Sequence, residues 1–126
     1  MKLASIDIGL KRIGVALSLT KTIVTPQTAI LRKNRNQASN DVDKFLKEWE
    51  IEKLIVGFPS SSEDMQKRVK HFMTLLNFEG EIIFQEENMS SIEAEDLMKG
   101  DIKYKRDGRV DSLAAKIILE RYLARN

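Results

Sequence analysis

Two strand-like segments separated by a short turn open the chain: LASIDI at residues 3–8, GLKR at 9–12 and IGVALSL at 13–19. Because the turn has hairpin length, we expect the two strands to pair antiparallel. Asp7 interrupts an otherwise apolar strand. A buried carboxylate without a partner is costly, so Asp7 needs a cation or a hydrogen-bonding partner. The alternative is that Asp7 bonds the backbone of the hairpin turn.

The rest of the chain alternates between strand-like and helix-like patterns. The segment 22–31 is rich in Thr, Ile and Val but contains Pro26, which suits an edge strand. Continuous apolar runs at 53–58 and 81–85 are typical of strands buried on both faces. The apolar spacing predicts a helix capped by Ser39 or Asn40 that ends near Glu50 and buries Trp49, after a connector at 32–40. Further helices are predicted at 63–77, 90–98 and 110–123, with a loop at 100–108.

This order of elements predicts an α/β fold. The expected sheet is mixed and five-stranded, with a three-stranded antiparallel meander followed by parallel strands that alternate with flanking helices. The sequence contains no internal repeat and no domain boundary. Residues 1–126 are therefore predicted to form a single domain.

Composition narrows the possible chemistry. The chain has 126 residues, a net charge of +2, no cysteine and one histidine. Disulfides, thiolate zinc sites and cysteine nucleophiles are excluded, and a Ser-His-Asp triad would have to use His71, which reads as a surface helix residue. The mildly positive charge permits a nucleic-acid partner without demanding one. No apolar run has the length of a bilayer span and the first residues do not resemble a signal peptide, so we expect a cytoplasmic protein.

Acidic residues fall at three places where a strand or helix begins or ends. Asp7 lies in the first strand, Glu86 and Glu87 follow the strand 81–85, and Asp111 opens the last helix, four residues after Asp107. Taken singly, the glutamates could be a solvated strand end and Asp111 could merely favour a helix N-terminus. Ligands of open α/β sheets collect at the carboxyl ends of strands. Together, these carboxylates could hold one or two Mg²⁺ or Mn²⁺ ions that bind a scissile phosphate and activate water.

Four segments, in order, resemble the motifs of the YqgF/RuvX family. DIGLKRIGVALS at 7–18 closely resembles the signature Asp-x-Gly-x-Lys-Arg-x-Gly-Val-Ala-x-Ser. VGFP at 56–59 resembles Val-Gly-x-Pro, and EENMSSIEA at 86–94 resembles Asp-Glu-Arg-x-Ser/Thr-Thr-x-Glu-Ala. VDSLAA at 110–115 resembles the closing Val-Asp-x-x-Ala-Ala helix. The resemblance covers essentially the whole chain.

The resemblance implies an RNase H-like fold and metal-dependent nuclease activity. Members of the family are described as Holliday junction resolvases and as pre-16S rRNA processing nucleases. By position, Asp7, Glu87 and Asp111 inherit the catalytic and metal-binding roles, with Glu86 as a further candidate ligand. The implied cofactor is Mg²⁺ or Mn²⁺. The implied partner is structured RNA or branched DNA, bound by a monomer or a homodimer.

Basic residues supply candidate contacts to a nucleic acid. Lys11 and Arg12 belong to the first motif, although Lys11 could equally be a solvated turn residue. Arg68 falls where the family usually has an arginine, and the others lie in the charged segment before the last helix: Lys105, Arg106 and Arg109. Asn88 replaces the arginine of the family's Asp-Glu-Arg motif, which removes a bidentate phosphate donor.

Three classes of function remain to be weighed. The first is a nuclease that processes the 5′ end of pre-16S rRNA, with a Holliday junction resolvase as the same chemistry on DNA. The second is a non-catalytic nucleic-acid-binding module, which the loss of arginine at Asn88 favours. A module that only binds has no need of carboxylates beside a polyanion. The third is an actin-like ATPase, for which one domain of this length is too short.

Overall fold

The computed structural model describes residues 1–86 and 110–125, and the side chains within 1–86 and 112–125. The helix predicted at 90–98 and the loop predicted at 100–108 lie outside these residues. The described elements are β1 Leu3–Ile8, β2 Arg12–Ser18, β3 Thr25–Leu31, α1 Arg35–Glu48, β4 Lys53–Phe58, α2 Glu63–Thr74, β5 Glu81–Glu86 and α3 Val110–Arg125. None of the described helices is both long and apolar enough to span a membrane.

The five strands form one mixed sheet in the order β3-β2-β1-β4-β5. β2 pairs antiparallel with β1 and with β3, and β4 pairs parallel with β1 and with β5. The meander followed by parallel strands is thus confirmed. Pro26 lies on the edge strand β3, as its missing amide hydrogen predicted.

The two faces of the sheet bury different helices. Alternate residues of β1 (Ala4, Ile6 and Ile8) belong to a core cluster that includes residues of α1 and α2, among them Val42 and Phe72. The intervening positions face α3, where a second cluster consists of Leu3, Ile55, Ile118 and Leu119. Since side chains alternate along a strand, each β1 residue can be assigned to the α1/α2 face or to the α3 face.

The C-terminal half of α3 also makes a polar contact with the sheet. Lys53 Nζ donates a hydrogen bond to the hydroxyl of Tyr122 at 3.0 Å, and Glu81 Oε1 lies 3.7 Å away. The hydrogen bond to Tyr122 is the main reason why the pKa of Lys53 is raised above its ordinary value, with a smaller contribution from Glu81.

The predicted start of α1 was wrong. The helix begins at Arg35, and its N-cap is Asn34, whose side chain accepts from the amide of Gln37 while the Gln37 side chain accepts from the Asn34 amide. Residues 35–40, expected to be a connector, are therefore helical. Trp49 was also wrongly expected to be buried: it is the C-cap residue and is 39% exposed.

The two strands predicted to be buried on both faces differ. Leu54, Ile55 and Val56 of β4 are fully buried, which confirms that prediction. β5 is instead the second edge of the sheet, and its Ile82 and Phe84 are 37% and 45% exposed. An apolar run indicates that a strand pairs within a sheet, but it does not indicate how many of its sides are covered.

Candidate active site

Asp7 lies near the carboxyl end of β1 on the α3 face of the sheet. It shares that face with Leu3 and Ser5, which contact α3. Its antiparallel partner on β2 is Gly14. The side chain is half-buried. A half-buried carboxylate at this position lies at the end of the strand and is partly open to solvent.

Strands β1, β4 and β5 run parallel and end together, at what we call the carboxyl edge of the sheet. At the level of Asp7, Gly57 of β4 pairs with Gln85 of β5, so Gln85 lies on the Asp7 face, where it is buried. Because Gly57 has no side chain, β4 places nothing between Asp7 and Gln85 at this level.

Glu86 points to the opposite face. It pairs with Phe58 on the α1/α2 face, and its Oε1 accepts a hydrogen bond from Ser60 Oγ at 2.9 Å. The structure therefore separates Glu86 from Asp7 by the thickness of the sheet.

Two buried serines hold α3 on the Asp7 face. Ser5 Oγ donates to the backbone oxygen of Ala115 at 2.6 Å, and Ser112 Oγ accepts from the amide of Val15 at 3.0 Å. Val15 follows Gly14, the strand partner of Asp7. The first turn of α3, which contains the backbone of Asp111, thus begins on the same face and at the same end of the sheet as Asp7.

An irregularity in the sheet accompanies this contact. The register between β2 and β3 shifts between Ile13 and Val15, so that Gly14 lies at a bulge. A bulge disrupts the regular ladder and turns the local backbone. The Val15 amide that donates to Ser112 lies directly beside this bulge.

The turn after Asp7 is held from both sides. The amide of Gly9 donates to the backbone oxygen of Arg12 at 3.0 Å, and a Cβ on Gly9 would lie 2.5 Å from that oxygen. From the other side, the Arg32 amide donates to the oxygen of Lys11 at 2.8 Å. The Arg32 guanidinium donates to the oxygen of Gly9 at 3.0 Å and lies 5.5 Å from the ring centre of Phe72. This short turn presents the side chains of Lys11 and Arg12 to solvent.

The structure describes some of the predicted site residues and not others. Of the predicted nucleic-acid contacts, Lys11, Arg12 and Arg68 are exposed, but Arg68 lies on α2 and so on the face opposite Asp7. His71 is exposed on α2, as expected. Four predicted residues lie outside the described part of the chain: Glu87, Lys105, Arg106 and Arg109.

The metal site itself is described only at Asp7. Among the side chains that the structure describes, no three acidic or imidazole groups lie close enough together to hold a metal ion. Two of the three predicted ligands, Glu87 and Asp111, do not belong to that set. The proposed ligand set therefore stays a prediction.

Sequence reasoning missed the residues that position the site. Ser5 and Ser112 are hydroxyls inside apolar segments, and a buried hydroxyl needs a hydrogen-bond partner, so both could have been identified as anchors. Arg32 lies in a polar segment without periodicity, and nothing in the sequence distinguishes it from a solvated residue.

Solved structures of resolvases share this fold. The Holliday junction resolvase of fowlpox virus superposes with a TM-score of 0.60 at 14% identity, over all of both chains. RuvC of Thermus thermophilus superposes with a TM-score of 0.54 at 12% identity, over 99% of this chain and 95% of RuvC. These similarities confirm the RNase H-like fold.

Sequence comparisons identify the family. A protein of Sulfurovum sp. is 58% identical over 98% of this chain and 99% of its own length, and one of Helicobacter pylori is 52% identical over 92% of this chain and 90% of its own. Both relatives carry the name "Putative pre-16S rRNA nuclease". The family model RuvX, described as Holliday junction resolvase, matches residues 1–125. The chain belongs to the RuvX family.

Proposed function

We propose that the protein is a metal-dependent nuclease that hydrolyses phosphodiester bonds, and that it processes the 5′ end of pre-16S rRNA in the cytoplasm. The observation that carries the proposal is the position of Asp7. Its half-buried carboxylate lies on the same face and at the same end of the sheet as the start of α3, the helix that contains Asp111. The full-length relatives named as pre-16S rRNA nucleases support the choice of substrate.

The proposed metal ligands are Asp7, Glu87 and Asp111. Carboxylate oxygens suit Mg²⁺ and Mn²⁺, which prefer oxygen ligands, so the donor set fits a divalent metal. When bound, the metal would stabilise negative charge on the scissile phosphate and lower the pKa of the attacking water. Glu86 is the weaker candidate for a ligand because its carboxylate accepts from Ser60 on the other face.

The remaining roles belong to residues that position these groups. Ser5 and Ser112 fix α3 against β1 and β2, so the carboxylates that we propose as ligands approach one another on a preset scaffold. The turn of residues 9–12, fixed by Arg32, directs Lys11 and Arg12 to solvent beside Asp7. There they would contact phosphates that flank the cut.

The test is cleavage of an RNA fragment that contains the 5′ end of 16S rRNA with its precursor extension. With Mg²⁺ or Mn²⁺ present, Asp7→Asn should slow single-turnover cleavage about 100-fold or more, because a metal ligand is lost. Asp41→Asn is the matched control: Asp41 is exposed on α1 and should tolerate the change. Equal cleavage by wild type and Asp7→Asn would remove Asp7 from the site.

A Holliday junction resolvase is the second candidate, because the family description and the fowlpox virus enzyme both carry that activity in their names. A four-way DNA junction in the same assay separates the two. Symmetric cuts in the junction, with the RNA left intact, would favour the resolvase and a homodimer. Metal-independent binding of both nucleic acids without cleavage of either would instead favour the binding module.

A further inference from the structure

Four basic side chains form a group near the carboxyl edge, on the face opposite Asp7. Arg32 follows β3, and Arg35 opens α1. Arg35 Nη1 lies 2.9 Å from His71 Nε2 on α2, which joins the two helices at this point. Arg68 lies three residues before His71 and therefore on the same side of α2. We call Arg32, Arg35, Arg68 and His71 the basic strip.

The guanidinium groups of the strip are not neutralised by carboxylates of the described residues. The ion pairs within that part of the chain join Lys2 to Glu50, Lys53 to Glu81 and Lys116 to Glu120, all of them outside the strip. The acidic residue nearest in sequence on this side of α2 is Asp64, one turn before Arg68, and it forms no such pair with it. Arg35 and Arg68 are exposed, so their positive charges face solvent, whereas Arg32 is half-buried and its guanidinium donates to the turn.

The strip is continuous with the turn beside Asp7. The Arg32 amide is bonded to the oxygen of Lys11, and the Arg32 guanidinium is bonded to the oxygen of Gly9. A path of cationic side chains thus leads from the exposed Lys11, across the carboxyl edge, to Arg35, whose guanidinium donates to His71. Arg32 connects the two parts and is itself held in place by Phe72.

We propose that the basic strip binds the phosphodiester backbone of a nucleic-acid strand that continues from the cleavage site over the carboxyl edge. This inference rests on the proposed function and adds a second contact surface to it. A guanidinium presents a planar set of donors that matches phosphate oxygens. Because a guanidinium can only donate, His71 Nε2 accepts from Arg35 Nη1 at 2.9 Å, which holds the guanidinium in place while its other N–H groups can donate to a phosphate oxygen. The substrate would accordingly contact both faces of the domain, Asp7 on one and the strip on the other.

Salt-dependent binding tests the strip. A fluorescent single-stranded RNA is titrated with protein in EDTA, which prevents cleavage, at several salt concentrations. Each phosphate contact contributes about 0.7 to the slope of log K against log salt for a single strand, so R35Q/R68Q should lower the slope by about 1.4 and weaken binding about tenfold. The control K2Q/K116Q removes the same charge from residues paired elsewhere and should keep the wild-type slope.

A third variant, R35K/R68K, retains the charge and should keep most of the slope, which separates loss of charge from damage to the fold. The proposal that the basic strip binds RNA is refuted if R35Q/R68Q binds as wild type does. It is also refuted if K2Q/K116Q loses as much affinity as R35Q/R68Q, since net charge alone would then explain binding. Cleavage of the precursor RNA by wild type is measured in parallel. If wild type cleaves normally and R35Q/R68Q has an unchanged salt slope, the proposal for the basic strip is refuted and the proposed function is not. If wild type neither binds nor cleaves the RNA, the proposed function is refuted.

Discussion

Replacing Ser112 by alanine tests whether α3 is held on the sheet by hydroxyl groups. The substitution removes the acceptor of the buried Val15 amide, 3.0 Å away. A buried donor without its acceptor costs about 1–3 kcal/mol. For a domain of this size, each kcal/mol lowers the melting temperature by about 3–5 °C. We expect the free energy of unfolding to fall by this amount in urea, with the slope m unchanged because the fold is retained.

The matched substitution Ser5→Ala should cost less, although its hydrogen bond is shorter, at 2.6 Å. Ser5 donates to the oxygen of Ala115, which in a regular helix also accepts from the amide four residues later. That oxygen keeps a partner when the hydroxyl is removed, so the expected loss is about 0.5–1.5 kcal/mol. The reasoning is refuted if Ser5→Ala is the more destabilising of the two, or if Ser112→Ala changes the stability by less than about 0.5 kcal/mol.

Three further outcomes are expected. Gly9→Ala should destabilise the protein by about 1–3 kcal/mol, because its Cβ would meet the oxygen of Arg12; a melting temperature equal to wild type would contradict this. Asn34→Ala should cost about 1 kcal/mol in urea as a lost N-cap, whereas Asn40→Ala, within α1, should cost less than about 0.5; the reverse order would restore the later helix start. Mn²⁺ at 100 times its dissociation constant should stabilise wild type by about 2.7 kcal/mol and leave Asp7→Asn much less stabilised; equal gains would place the metal elsewhere.

The fold was predictable where local pattern and pairing agree. The turn of residues 9–12 predicted the β1–β2 hairpin, Pro26 predicted an edge strand, and the apolar run of β4 predicted a strand buried on both faces. The predicted start of α1 was wrong for a reason that the sequence itself could have corrected. Asn34 and Gln37 have the spacing of a capping box, but they lie in a polar segment without the apolar periodicity used to find helices.

The environment of β5 was not predictable from its own residues. Its apolar run resembles that of β4, yet Ile82 and Phe84 are 37% and 45% exposed, because β5 is the outermost described strand and the face of the sheet is covered less completely there. Burial of a strand depends on its neighbours in the sheet, and these are chosen by segments distant in sequence. A local pattern contains no information about that choice.

The choice between Glu86 and Glu87 depends on the same kind of non-local information. Strand alternation fixes which residues share a face, but only the pairing of Gln85 with Gly57 and of Glu86 with Phe58 ties that alternation to Asp7. With this register, Glu86 faces α1 and α2, on the side of the sheet opposite Asp7. The register thus counts against Glu86 as a metal ligand.

The hydrogen bonds by which Ser5 and Ser112 hold α3 on the sheet have a physical rationale in the proposed chemistry. Carboxylates gathered at one point repel each other until a cation binds, so if α3 supplies Asp111 as a ligand, as we propose, the helix must be held by contacts that this repulsion cannot displace. Apolar packing of Ile118 and Leu119 fixes the distance of α3 from the sheet but permits sliding along it. The hydrogen bonds of Ser5 and Ser112 are directional and fix the helix along its axis. Two buried hydroxyls are therefore what we expect beside a helix that we propose to supply a ligand, where apolar side chains alone would not suffice.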